Sequence, residues 1–214
     1  MGNDGISDNK VYKLKSRYRA RFENKDVNWG GTLDEKYVNE IKQRSDDLGM
    51  IKETKMVFSG TANEKNLKQA DGQLYIIQVV IDGNEFRRAS FDAVGGPWGN
   101  GSPENGNYLT NTLLDRGPTG WYNTGMTKYG VGFSLNLEPQ FKTGRKLLRI
   151  HPDGGKFFGT QGCIGLTCGK DGLLEFKEII EKVLSKQKDI PLNVNILNNP
   201  NDDGYGKKTK SNGE

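Results

Sequence analysis

Two strand-like stretches joined by a tight-turn dipeptide place the strongest constraint on the fold of this sequence. Leu74 to Ile81 and Glu85 to Phe91 lie on either side of Asp82-Gly83. Glycine adopts the positive φ that a two-residue hairpin turn requires, so this pattern predicts two antiparallel strands. Similar short stretches cover Lys55 to Ser59, Tyr108 to Leu114, Val131 to Leu137 and Ile190 to Leu197. The chain is therefore predicted to be mainly β, mostly antiparallel, and folded as a β sandwich or barrel.

The composition agrees with a β fold. The 214 residues include 29 glycines, and 33% of them are hydrophobic, which favours a loop-rich β protein over a helical bundle. One packed helix is predicted, because apolar residues recur at helical spacing from Leu173 to Leu184. The strand from Val131 to Leu137 alternates apolar with small or polar residues and is expected to be half-buried. Glycines crowd the stretch from Gly95 to Gly106, which is expected to be an exposed, mobile loop.

The chain is predicted to have three parts. Residues 1–52 form an N-terminal extension, with a disordered start, a basic strand from Lys10 to Phe22 and a helix that begins at the capping box of Thr32 and ends at Gly49. Residues 53–199 form the main domain, and residues 200–214 are a polar tail without periodicity, expected to be disordered.

Charge and hydropathy exclude two classes of protein. The net charge of +4 is compatible with binding an anionic polymer but too small to indicate nucleic acid. No stretch approaches the run of about 18 apolar residues that a membrane span needs. The N-terminus, Met1-Gly2-Asn3-Asp4-Gly5, lacks the basic-then-apolar pattern of a signal peptide.

His151 and Cys163 are the residues most suited to chemistry. His151 is the only histidine, and Cys163, one of two cysteines, follows it by twelve residues. A neutral imidazole accepts a thiol proton, and the thiolate attacks carbonyl groups. The apolar run before His151 predicts a buried strand, and the turn from Pro152 to Gly155 returns the chain. A second tight turn, Thr160-Gln161-Gly162, then brings the thiol to the same place.

His151 and the two cysteines also have structural interpretations. Cysteine is often a small buried hydrophobic residue, and a lone histidine is more often structural than catalytic. Cys168 is expected to be a small buried hydrophobic residue of this kind. Two cysteines five positions apart do not form a disulfide framework. With His151 they supply at most three zinc ligands at irregular spacing, so no metal is expected.

The segment from His151 to Ile164 resembles the L,D-transpeptidase (YkuD-like) catalytic domain and the related L,D-transpeptidase/carboxypeptidase toxins. That family carries a histidine, a glycine-bearing loop, and then Ser/Thr-x-Gly-Cys and an aliphatic residue, as in Thr160-Gln161-Gly162-Cys163-Ile164. Weaker resemblance extends over Thr54 to Leu197, including a Ser-Pro…Gly-x-Tyr stretch that ends at Tyr108. The family often has His and Arg where this chain has Gln161 and Gly165.

The resemblance implies a β fold of the L,D-transpeptidase type and an enzyme that acts on peptidoglycan stem peptides. Cys163 is the expected nucleophile and His151 the general base and acid, with Gly162, Thr160 and Gln161 forming or supporting the oxyanion hole. Substrate contacts are predicted for four residues: Arg149, Tyr108, Trp98 and Trp121. Only one of the two tryptophans is expected to line the groove, because the loops that carry them flank one strand. This chemistry needs no cofactor.

Two other functions remain open. One is a catalytically inactive module that binds the cell wall, which the changes at Gln161 and Gly165 favour. The other is a cysteine peptidase or amidase that acts on other peptides. For the enzyme, the expected location is the cell envelope or periplasm, or outside the cell as a secreted antibacterial toxin. An immunity or secretion partner is then a possible binding protein.

Overall fold

The structure is a computed structural model that describes residues 51–81, 83, 85–118 and 125–201. All of them belong to one compact unit. The strand and helix predicted between Lys10 and Gly49, the indole of Trp121 and residues 202–214 of the predicted tail lie outside the described residues.

The described chain is mainly β with one packed helix, as predicted. Its elements, in chain order, are β1 (Ile51–Asn63), β2 (Asn66–Val80), β3 (Glu85–Gly95), β4 (Gly106–Thr110), β5 (Leu113–Asp115), β6 (Thr127–Lys128), β7 (Val131–Asn136), β8 (Glu138–Pro139), β9 (Arg149–Pro152), β10 (Ile164–Leu166), α1 (Lys170–Leu184) and β11 (Ile190–Leu197).

The strands form one open, mixed sheet. Their spatial order is β5-β7-β9-β10-β3-β2-β1-β11-β4-β8, and β6 pairs with β7 beside this path. Two pairs are parallel, β1 with β11 and β9 with β10, and the others are antiparallel. In the described chain the two outermost strands, β5 and β8, do not pair with each other, so the sheet is not a closed barrel.

The hairpin that the sequence predicted most strongly joins β2 and β3. Their pairing runs from Ala70 opposite Gly95 to Val79 opposite Glu85, and Gly83 in the turn has a φ of +87°. Both strands are longer than the apolar stretches indicated, because β2 begins directly after the short turn that follows β1. In the sheet this long hairpin lies between β1 and β10, so β3 borders the strand that follows Cys163.

Helix α1 packs behind the strands that carry His151 and Cys163. Its Phe176 ring lies 5.3 Å from the Phe91 ring of β3 and 5.4 Å from the Phe133 ring of β7. Because β3 and β7 flank the β9–β10 pair in the sheet, Phe176 spans that pair from the core side. The helix therefore supports the face opposite the candidate site.

Three sequence-based expectations differ from the structure. The stretch from Tyr108 to Leu114 is two strands, since the chain leaves β4 at Asn111 and joins β7 as β5. Strand β7 is buried on both faces rather than half-buried, because Ser134 on its polar side is also fully buried. Part of the Gly95–Gly106 loop is packed, with Ser102 at 0% exposure.

The predicted tail also begins too early. Asn201 Nδ2 donates to the Ser102 carbonyl oxygen at 2.8 Å, and Asn199 Nδ2 donates to the Pro103 carbonyl oxygen at 2.8 Å. Ordered packing therefore continues past residue 200. These amides fill backbone acceptors of the partly buried loop, which gives polar residues without periodicity a structural role.

Candidate active site

His151 and Cys163 lie on neighbouring parallel strands. In the register of β9 and β10, Ile164 lies beside Ile150 and Gly165 beside His151, and Cys163 directly precedes β10. Both isoleucines are fully buried. Since side chains alternate along a strand, His151 and Cys163 project from the opposite face to these isoleucines. By this alternation the imidazole and the thiol lie on the same side of the β9–β10 pair.

The hydrogen bonding of His151 leaves one ring nitrogen to act as a base. Nδ1 lies 2.8 Å from the carbonyl oxygen of Pro152. A carbonyl oxygen only accepts, so Nδ1 carries the proton and Nε2 is the atom with a free lone pair. Burial lowers the pKa of His151, and the bond to Pro152 and the nearby Asp153 carboxyl act against this lowering. The ring is therefore neutral near pH 7.

The Cys163 thiol is held in its neutral form. Burial raises its pKa, while a backbone hydrogen bond from Arg149 and the positive charge of that residue act in the other direction. Within the described residues no hydrogen bond joins the His151 and Cys163 side chains. Apo active sites often show such a gap, which closes when a substrate binds. The resting pair is a thiol and an imidazole rather than an ion pair.

Thr160 fixes the turn that carries the nucleophile. Its hydroxyl donates to the Cys163 carbonyl oxygen at 2.6 Å and accepts from the Gly96 N–H at 3.1 Å. Its own N–H donates to the Gly96 carbonyl oxygen, and its carbonyl accepts from the Trp98 N–H. Thr160 therefore ties the Cys163 turn to the segment 96–98, a supporting role.

Gly162 and Gln161 complete this turn. Gly162 has a φ of +123°, a conformation that other residues rarely adopt, and a Cβ there would lie 3.3 Å from Arg145 Nη1. Gln161 is exposed. The N–H groups of Gly162 and Cys163 remain the predicted oxyanion donors.

The predicted substrate residues lie in different environments. Arg149 is next to Cys163, and its Nε is buried without a hydrogen-bond partner in the described chain. Trp98 is 46% exposed and borders the Cys163 turn. Tyr108 is fully buried, and its hydroxyl donates to the Glu104 carbonyl oxygen at 2.7 Å. The prediction that Tyr108 contacts substrate was wrong, because this ring belongs to the core.

Sequence reasoning missed three charged residues around the pair. Asp153 is 5% exposed and accepts from the Gly159 N–H at 3.0 Å, and burial raises its pKa. The positive charge of Arg116 lowers the pKa of His151, and Arg116 Nε donates to Ser134 Oγ at 2.9 Å. Arg145 donates to the carbonyl oxygens of Ser102 and Asn100, both at 2.7 Å. Only Asp153 had a sequence signal, its two-residue spacing from His151.

Described parts of both glycine-rich stretches lie near the candidate site. The loop after β3 meets Thr160 through Gly96 and Trp98. On the other side, the positive charge of Arg116 lowers the pKa of His151, and a Cβ on Gly154 would lie 1.9 Å from the Thr127 carbonyl oxygen. The prediction that only one of Trp98 and Trp121 lines the groove stays a prediction, because Trp121 lies outside the described residues.

A separate cavity of about 270 Å³ lies at the far end of β3. Lys52, Arg88, Lys182 and Lys186 contribute cationic side chains to its wall. Arg88, the β3 residue of this cavity, lies seven positions before Gly95, about 23 Å at the rise of a strand. The cavity therefore does not belong to the thiol site.

Two further structural findings concern the described residues alone. They contain no cluster of three or more His, Cys, Asp or Glu side chains placed to hold a metal ion. None of their helices has the length and apolar character needed to cross a membrane.

Comparison with known proteins gives no relative for this chain. No family model matches it, and neither a curated protein nor a solved structure does. The relation to L,D-transpeptidases therefore rests on the residues of the His151–Ile164 segment.

Proposed function

We propose that this protein is a cysteine-dependent L,D-transpeptidase or L,D-carboxypeptidase that acts on peptidoglycan stem peptides. The observation that carries the proposal is the arrangement on β9 and β10. His151 has its Nδ1 proton fixed on the Pro152 carbonyl oxygen, and Cys163 directly precedes β10, the strand that pairs with β9. The order and spacing of the motif residues support the same class of enzyme.

The chemistry follows from the neutral pair. As Cys163 Sγ attacks the carbonyl carbon of the stem-peptide diamino acid, the thiol proton passes to His151 Nε2. The oxyanion accepts hydrogen bonds from the Gly162 and Cys163 N–H groups. His151 then returns the proton to the departing amine of the D-amino acid, which leaves a thioester on Cys163. Water hydrolyses this thioester, or an amine takes the acyl group and forms a cross-link.

Arg149 is the proposed anchor for a substrate carboxylate. Its Nε–H is buried beside Cys163 without a partner in the described chain. A buried guanidinium donor left unpaired is costly, and a carboxylate satisfies it well. This residue takes the place of the arginine that the related family carries at the position of Gly165.

The decisive experiment incubates the protein with purified muropeptides and follows release of D-amino acid by mass spectrometry. Cys163→Ala and His151→Ala should each abolish turnover, and the double variant should be hardly slower than either, because the two residues act as a unit. Cys168→Ser is the matched control and should retain activity, since that thiol is not part of the motif. Turnover near wild type in Cys163→Ala would contradict the proposal.

A second candidate is a wall-binding module without activity. The missing hydrogen bond between His151 and Cys163 and the raised pKa of the thiol favour it. Labelling of Cys163 by a thiol-reactive probe at neutral pH would argue against this candidate, whereas an unreactive thiol and no turnover of any muropeptide would support it. The same assay run on unrelated peptides distinguishes the proposed function from that of a peptidase or amidase that acts on other peptides. The proposed location is the cell envelope, periplasm or exterior, including secretion as an antibacterial toxin with an immunity partner.

A further inference from the structure

Three large aromatic side chains next to the Cys163 turn are exposed together. Trp98, Phe157 and Phe158, here called the aromatic patch, are 46%, 64% and 53% exposed. The rings of Trp98 and Phe157 lie 6.0 Å apart at an angle of 56°. Apolar groups that cluster on a surface and are surrounded by polar residues mark contact sites, whereas single exposed apolar residues are ordinary.

Hydrogen bonds fix the orientation of the indole. Trp98 Nε1 donates to the Phe158 carbonyl oxygen at 2.9 Å, and the Trp98 backbone N–H donates to the Thr160 carbonyl oxygen at 2.9 Å. Because Nε1–H is the only polar donor of the ring, the exposed part of Trp98 offers a flat π face and no hydrogen bond. The indole therefore offers a ligand a flat apolar surface instead of a hydrogen bond.

The patch adjoins the nucleophile. Thr160, which holds Trp98, also donates its hydroxyl to the Cys163 carbonyl oxygen. A Cβ on Gly99 would lie 3.4 Å from the Gln161 side chain, so the Trp98 segment runs beside the Cys163 turn. A molecule that rests on the patch therefore lies beside the Cys163 turn.

We infer that the aromatic patch binds the sugar part of the substrate, so that the enzyme prefers stem peptides attached to glycan over free peptides. This inference rests on the proposed function. A pyranose ring has a flat face of C–H groups that packs on aromatic rings, with hydroxyls at its rim. The patch has a matching polar rim, formed by exposed Lys156, Asn100 and Gln161. Three side chains are a small area compared with the roughly 800 Å² per partner of a stable protein interface.

The kinetic test compares a disaccharide-tetrapeptide with the same tetrapeptide without sugar. The wild type should show a higher kcat/KM for the sugar-bearing substrate. Trp98→Ala and Phe157→Ala should each reduce the ratio of the two kcat/KM values by about three- to tenfold, the range of single aromatic contacts. Phe157 makes no side-chain hydrogen bond in the described chain, so this variant tests the patch even if Trp98→Ala disturbs the turn. Tyr75→Ala on β2 is the control and should leave the ratio unchanged.

A binding measurement makes the test independent of catalysis. Glycan oligosaccharides stripped of stem peptides are titrated into Cys163→Ala by calorimetry, with and without Phe157→Ala. Binding that is lost with Phe157→Ala supports the inference even if no muropeptide is turned over, in which case the proposed function alone has failed. No binding by Cys163→Ala, or equal losses on both substrates in the kinetic test, would overturn the sugar assignment.

Discussion

Gly165 lies beside His151 at a position with no room for a side chain. A Cβ there would lie 2.8 Å from Thr160 Cγ2 and 3.2 Å from Asp153 Cβ. The L,D-transpeptidases that the His151–Ile164 segment resembles often carry an arginine at this position, and the absence of one here has a structural explanation: the space is filled by residues that fix the Cys163 turn and adjoin His151. In the proposed function, Arg149 beside Cys163 supplies the guanidinium instead.

This crowding predicts a coupled effect on stability. Gly165→Ala should lower the free energy of unfolding by about 1–3 kcal/mol, the usual range for an overpacked site. Thr160→Ser removes the nearest atom and keeps the hydroxyl that bonds Cys163 and Gly96. The double variant should therefore recover part of the loss, which urea unfolding of all four proteins would measure as a coupling energy. Additive losses would show that Thr160 is not the obstacle.

The pKa of the Cys163 thiol gives a second prediction at the scale of single residues. Burial raises that pKa, and the positive charge of Arg149 opposes the rise. Removing the charge should raise the pKa further, so fewer molecules carry a thiolate at any pH below it. Arg149→Gln should then slow alkylation of Cys163 at pH 7 by about two- to tenfold, because one pKa unit is a tenfold change in thiolate.

The measurement is the rate of iodoacetamide alkylation from pH 6 to 10 in a Cys168→Ser background, so that one thiol is followed. The inflection should move to higher pH in Arg149→Gln and stay near wild type in Arg149→Lys, which keeps the charge. An inflection that moves to lower pH in Arg149→Gln would contradict this account of the site.

At this scale the sequence predicted the pair but not its surroundings. His151 and Cys163 are close in the chain, and strand alternation carries their neighbours Arg149 and Asp153 to the same face. Arg116 is brought to His151 by the pairing of β5 with β7 and of β7 with β9. No local pattern records such pairing, since it depends on strands that meet only in the folded sheet.

Helix α1 shows how an element determines the position of the site. Phe176 contacts Phe91 of β3 and Phe133 of β7, the two strands that flank β9 and β10. Phe176→Ala should lower the free energy of unfolding by about 3–5 kcal/mol, the cost of a large cavity in a core. Leu174 of the same helix is 45% exposed. Leu174→Ala is therefore the matched control and should lower the free energy of unfolding by less than about 1 kcal/mol.

Chemical denaturation of the two variants checks this prediction. Equal and small losses would mean that the core relaxes around the missing ring and that the helix does not support the sheet. The helix itself was predicted from the sequence, because its apolar stripe has a clear period. The division of Tyr108–Leu114 into β4 and β5 was not, because the polar residues Thr110, Asn111 and Thr112 also occur within strands and do not by themselves mark where a strand changes its neighbour.

The whole molecule is organised by one pairing of distant segments. Strand β1 runs parallel to β11, from Met56 beside Leu192 to Thr61 beside Leu197. Strands β4 and β8 join the sheet only through β11. The sequence predicted a mainly β fold with one packed helix, and the structure confirms it. The long-range order of the strands was beyond local patterns, because it joins segments more than 130 residues apart.

This strand order has a consequence for protein synthesis. Ile196 accepts from Asn105 Nδ2 and donates to its Oδ1, and Asn199 donates to Pro103, so the loop that borders Cys163 is anchored by the last described strand. Because β11 follows Cys163 in the sequence, a ribosome or an export channel releases that strand later than Cys163. An emerging chain therefore carries Cys163 for about thirty residues before the loop beside it has an anchor, so the candidate site is completed only after β11 has emerged.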